Sequence, residues 1–170
     1  VNRPHYILLP VSPLFIAFSL IGAFMLNLLP WGHWIGTPDF VALVLMFWGI
    51  HQPRKVGIGV AFIMGLLMDV HEATLLGENA LAYTLLSYFA IMIHRRVLWF
   101  PVMTQALQVF PLLLATQAIQ SAVRLMVSGK FPGWLSFVDS VVAMALWPVI
   151  HVLLLAPQRR AVDKDHTRPI

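Results

Sequence analysis

Apolar residues come in long blocks along this chain rather than in alternation. Six runs, approximately 7–29, 36–50, 56–70, 79–93, 97–123 and 135–156, are separated by short polar segments. Pro30-Trp31-Gly32-His33-Trp34 closes the first run, and His51-Gln52-Pro53-Arg54-Lys55 separates the second from the third. An acidic loop runs from His71-Glu72 to Gly77-Glu78, His94-Arg95-Arg96 closes the fourth run, and Ser128-Gly129-Lys130-Phe131-Pro132-Gly133 precedes the sixth. Runs of this length and apolarity predict membrane-crossing helices, and Pro and Gly mark breaks where helices end. There is no fixed-period repeat and no low-complexity segment.

Two of the runs are short. A span needs about 20 residues at about 1.5 Å rise to cross a hydrocarbon core of about 30 Å, and 36–50 and 56–70 offer 15 residues each. A re-entrant hairpin would carry Arg54 and Lys55 into the bilayer, at about 2.5–3.5 kcal/mol each near its centre. Two short spans, with local thinning or with ends sheltered by longer helices, cost less. The expectation is therefore an all-α, polytopic transmembrane bundle of about six helices.

Charge sets its orientation. With the N-terminus inside, inner segments hold Arg3, Arg54, Lys55, Arg95, Arg96, Arg159, Arg160, Lys164 and Arg168, while outer segments hold only Arg124 and Lys130. Nine basic residues against two is a positive-inside bias at every inner loop, which places both termini in the cytoplasm. The first run, preceded by Arg3 and His5, lacks a small-x-small cleavage site and is read as a retained span.

Composition agrees. Of 170 residues, 59% are apolar and 11% charged, against about 25% charged in soluble domains. The net charge of +4 lies in topology-setting clusters rather than in a nucleic-acid-binding stripe. There is no cysteine, which removes thiolate chemistry and disulfides. The organisation expected is one transmembrane domain, residues 1–157, and a basic cytoplasmic tail, 158–170.

Within the third run, Gly57, Ala61, Gly65 and Asp69 recur every four residues along one helical stripe. Small residues at that spacing let two backbones approach closely, either inside this bundle or against a partner helix. Asp69 ends the stripe near the outer surface, where an intramembrane carboxylate is a functional candidate. Thr37-Pro38-Asp39 opens the second run as N-cap, first helical residue and first-turn acid. Asp39 and Asp69 lie at similar depth, so a cation-binding or acid–base carboxylate pair is one reading of them.

The fifth run is the most polar. Gln105, Gln108, Thr116, Gln117 and Gln120 fall within about half of the helix circumference and should face protein or a wet groove rather than lipid. Interhelical hydrogen bonding and a ligand-lined cavity both satisfy that requirement. Pro111 predicts a kink. The histidines at 5, 33, 51, 71, 94, 151 and 166 share no metal-ligand spacing and read as interfacial, as do Trp31, Trp34, Trp99 and Trp134. Ser87, Ser136 and Ser140 lack a nearby His or a Gly-rich elbow, and no phosphate, dinucleotide or metal motif is present. No catalytic residue, cofactor or metal is expected.

The order Leu29-Pro30-Trp31, Pro38-Asp39-Phe40, Pro53, Gly65-Leu66-Leu67-Met68-Asp69-Val70, Gly77, Ala80-Leu81-Ala82-Tyr83 and Arg95-Arg96 resembles the rod-shape-determining MreD family over approximately residues 14–96. The last two helices resemble it by hydropathy. The resemblance implies a non-enzymatic member of the bacterial cell-elongation machinery, working with MreC and helping couple the MreB cytoskeleton to peptidoglycan synthesis by RodA and its penicillin-binding partner. It marks Pro38, Asp39, Gly65 and Asp69 as important without assigning them chemistry. The family is also similar in fold to the six-helix substrate-binding subunits of energy-coupling-factor transporters.

The leading expectation is a membrane scaffold binding the transmembrane helix of MreC through the Gly57–Ala61–Gly65 stripe or the polar half of helix five. The rival is a small-molecule-binding subunit of an uptake transporter, and a third reading is an intramembrane enzyme using Asp39 and Asp69.

Overall fold

The structure, a computed structural model, describes residues 7–8, 11–31, 36–129, 131 and 133–160. Arg3, His5, His33, Trp34, Lys130, Lys164, His166 and Arg168 lie outside the described residues, as does the tail beyond 160. Six α-helices follow in order: α1 Pro13–Leu28, α2 Phe40–His51, α3 Ile58–Glu72, α4 Glu78–Leu98, α5 Val102–Ser128 and α6 Phe137–Leu155. A 3-10 turn, Trp134–Ser136, leads into α6. Ile7–Leu8 (β1) and Arg159–Arg160 (β2) form a short antiparallel pair, Ile7 opposite Arg160, which holds the two ends of the described chain together.

Successive helices run in opposite directions. The α1 C-terminus, the α2 N-terminus, the α3 C-terminus, the α4 N-terminus, the C-terminal third of α5 and the α6 N-terminus all meet around one cavity. This is the polar end of the bundle. At the opposite end, the Lys55 ammonium donates to the Val11 carbonyl, and the His51 and His151 rings lie 5.3 Å apart.

By length and apolarity, Val102–Ser128 and Trp134–Gln158 are long enough to cross a membrane. At 12 residues, α2 reaches only about 18 Å at about 1.5 Å per residue. It does not face lipid along its length, because Val41 through Ile50 are all buried. A helix apolar all round belongs inside a bundle, and α2 packs against α1, α4 and α6. The second run is short because its helix is the core. Trp48 pins it to α1 by donating to Ser19 Oγ at 2.8 Å.

α5 begins at Val102, five residues inside the apolar run, because Pro101 occupies its N-cap; the helix continues through Pro111. Trp99 and Trp134 are exposed, as interfacial tryptophans should be, whereas Trp48 and Trp147 are fully buried. Gln158, at the head of the expected tail, is buried and donates to the Leu154 carbonyl at 2.9 Å.

Candidate functional site at the polar end

The first turn of any helix leaves backbone N–H groups without intrahelical partners. In α4 the N-cap is Gly77, held at φ +105°, and its missing side chain cannot cap. Asp69 of α3 caps instead. Its buried carboxylate accepts from the amides of Gly77 at 2.8 Å, Asn79 at 2.7 Å and Ala80 at 3.4 Å. A carboxylate at a helix N-terminus gains from both charge-assisted bonds and the helix dipole.

Gly65, one turn earlier, makes that approach possible. A Cβ at Gly65 would fall inside contact distance of the Asn79 and Ala80 backbone. Ala61 continues the seam, fully buried. Gly57 does not belong to it: this residue is the α3 N-cap, with open space where a Cβ would stand. The part of the stripe from Ala61 to Asp69 is therefore covered within this bundle, which removes it as a surface for a partner helix.

Asp39 does the corresponding work for α2, whose start lies two residues later than the sequence places it. The N-cap is Asp39 itself, with Thr37 and Pro38 before the helix. Its Oδ1 accepts from the Ala42 amide at 3.0 Å and the Asn27 side chain at 2.9 Å. The buried Tyr83 hydroxyl donates to Oδ2. Asn27 returns the favour to α2 by accepting from the Phe40 amide at 3.1 Å. The two carboxylates proposed as a pair thus take separate sets of donors. The charge of Asp39 acts instead on Glu72, almost one turn beyond Asp69.

A third set of contacts binds α5 to α4. Arg124 Nε donates to the buried Glu78 at 2.5 Å and Arg124 also lies 3.6 Å from Glu72. Gln120 donates to Asn79 Oδ1 at 2.6 Å. Arg124, which counts against the positive-inside bias, is thereby paired. Glu72 lies beyond the apolar run of α3; burial first, then the charge of Asp39, raises its carboxyl above the usual range, with Asn79 and Arg124 opposing.

These contacts surround a cavity of about 290 Å³. Asn27, Trp31, Asp39, Glu72, Asn79 and Asp139 face it, and α5 contributes Gln117, Gln120 and Arg124. Asp139, in the first turn of α6, accepts from the Gly36 amide at 2.9 Å. The polar half of α5 therefore divides. Gln117 and Gln120 reach the cavity, Thr116 bonds its own helix at Leu112, and Gln105 donates to the Phe100 carbonyl at 2.9 Å near the other end. Gln108 is half-buried away from the cavity.

Asn27 and Asp139 escaped the sequence reading, and Glu72 and Tyr83 stood in it only as parts of the acidic loop and of the family-like motif, without these roles. Asn27 carries a visible signal, an amide near the end of an otherwise apolar run. Tyr83 does not, since its role arises only when α4 packs against the start of α2.

The family of the rod shape-determining protein MreD matches residues 7–156, all six helices. The chain belongs to the MreD family. Rod shape-determining protein MreD of Haemophilus influenzae is 28% identical over 151 residues, covering 85% of this chain and 90% of that protein. No solved structure matches the chain. Membership in MreD supports a role in determining rod shape, in a family of membrane proteins that are structural rather than enzymatic.

Proposed function

We propose that the chain is a non-enzymatic inner-membrane scaffold of the cell-elongation complex. It crosses the membrane six times with both termini in the cytoplasm, as the nine-to-two distribution of basic residues favours. It binds the transmembrane helix of MreC and helps couple the MreB cytoskeleton to peptidoglycan synthesis by RodA and its penicillin-binding partner.

The observation that carries this reading is the use to which the polar side chains are put. Asp69, Asp39, Asn27, Gln120 and Arg124 hold helix ends against one another, which makes a rigid platform. Apolar helix faces remain along its sides, among them Leu14, Phe18, Ile21 and Met25 of α1. Gly22 sits on that face with open space beside it, so a partner helix can approach closely there. The polar cavity favours the second reading, a small-molecule-binding subunit like those of energy-coupling-factor transporters.

A pull-down of tagged protein in mild detergent, with mass spectrometry of proteins and small molecules, separates the two. The scaffold predicts stoichiometric recovery of a single-span, coiled-coil-bearing partner. Gly22→Leu, which has room to fold, is expected to reduce that recovery severalfold. A stoichiometric small molecule with no protein partner would overturn the scaffold.

A further inference from the structure

We propose that the cavity at the polar end binds a compact organic cation, one carrying a primary ammonium or guanidinium group. This site goes beyond the scaffold reading and does not depend on it.

The balance of charge around the cavity is the first ground. Asp39, Glu72 and Asp139 face it, and among the described residues lining it Arg124 is the one Lys or Arg. That guanidinium is already engaged by Glu78, which does not line the cavity, and by Glu72. A surplus of negative charge is left facing the space.

The free valences are the second. Asp39 is occupied by three donors and contributes field rather than bonds. Glu72 and Asp139 differ. Each has one oxygen engaged, Glu72 Oε2 by Asn79 and Arg124 and Asp139 Oδ1 by the Gly36 amide. The second oxygen of each has no hydrogen-bond partner among the described residues. The Gln117 amide is likewise without a hydrogen-bond partner among them and adds a neutral acceptor. An ammonium has three donors and a guanidinium five, with no acceptor on either, so their chemistry complements this lining.

The wall is the third. Trp31 lines the cavity with its N–H spent on the Leu26 carbonyl at 2.7 Å, so it offers no donor that would compete with a cation. Size then narrows the class. At about 290 Å³ the space lies at the lower end of small-molecule pockets, which run from about 300 to 1,000 Å³. Among the described residues no three His, Asp or Glu side chains are placed to hold a metal ion. The same group occurs in a soluble amine and in the headgroup of an aminophospholipid.

The test is calorimetric titration of the purified full chain with agmatine, which bears both groups, and with inorganic phosphate as the anionic control. Saturable agmatine binding without phosphate binding is expected. The double variant Glu72→Gln/Asp139→Asn should lose affinity at least about tenfold, a change of about 1.4 kcal/mol, with its helical circular dichroism retained. Gln117→Leu, which removes one acceptor and breaks no helix cap, provides a second variant with a smaller loss. Repeating the titration in phosphatidylglycerol nanodiscs with and without phosphatidylethanolamine assigns the source. Competition by phosphatidylethanolamine supports a headgroup site, and undiminished agmatine binding supports a soluble amine. Absence of saturable binding at millimolar agmatine, preference for phosphate, or wild-type affinity in both folded variants would overturn the proposal.

Discussion

The two ends of this bundle are held by different physics. At the polar end, helix termini are joined by carboxylates and amides: Asp69 caps α4, Asp39 caps α2, and Arg124 ties α5 to Glu78. At the opposite end, rings do most of the joining. Phe47 stacks on His51 with centroids 4.1 Å apart and meets Trp48 and Trp147 at 5.0 and 6.2 Å. Directional bonds to backbone amides demand one geometry, whereas ring contacts tolerate small shifts. In lipid, where packing and interhelical hydrogen bonds replace hydrophobic drive between helices, the polar end sets the register of the bundle.

Substitutions can break that contrast in a graded order. Gly65→Leu is the most severe, because it drives a side chain into the α4 backbone. Overpacking typically costs about 1–3 kcal/mol and more against unyielding backbone, so folded protein should be lost, as read by monodispersity in detergent. Asp69→Asn follows. It keeps the shape but replaces one acceptor oxygen with an NH₂ that faces amide donors, at about 1–3 kcal/mol for donors left unsatisfied, measured as a fall in melting temperature. At the ring end, Trp48→Phe removes the bond to Ser19 and should cost less, about 0.5–1.5 kcal/mol for the bond. A ring-end loss larger than that of Asp69→Asn would reverse the comparison.

The smallest effect concerns pH. The Glu72 carboxyl is raised above the ordinary 4.5, so the folded protein holds that proton more tightly than the unfolded chain. Its stabilising contribution is fully present below about pH 4.5 and is lost as pH rises through the folded value. Glu72→Gln should therefore melt slightly above wild type at neutral pH. The gap should close as pH falls to the ordinary carboxylate range, a trend that parallel melting curves across pH will show.

Much of the fold was legible in the order of apolar runs, because long blocks broken by Pro and Gly have few other solutions. The boundaries were less so. The first run begins at 7, yet α1 begins at Pro13, since hydropathy cannot tell a short strand from a first helical turn. The shortness of 36–50 was visible, but its cause, a helix buried on every side, is a tertiary fact. Asp69 and Gly65 stood out by spacing, while their shared task needed the position of Gly77 and Asn79. Glu72, Asp139 and Tyr83 gave no local sign, because four helices must meet before those side chains face one another or the same space.

The central claim is that the polar end serves shape by holding helices in place rather than by chemistry. The direct measurement is rod-shape rescue of cells depleted of their own MreD, plotted against folded protein in the membrane for Gly65→Ala, Asp69→Asn and Asp39→Asn. The account predicts that rescue falls in step with folded protein, all variants lying on one line with wild type. A variant at Asp69 that is folded and abundant at wild-type level yet leaves the cells round would contradict it.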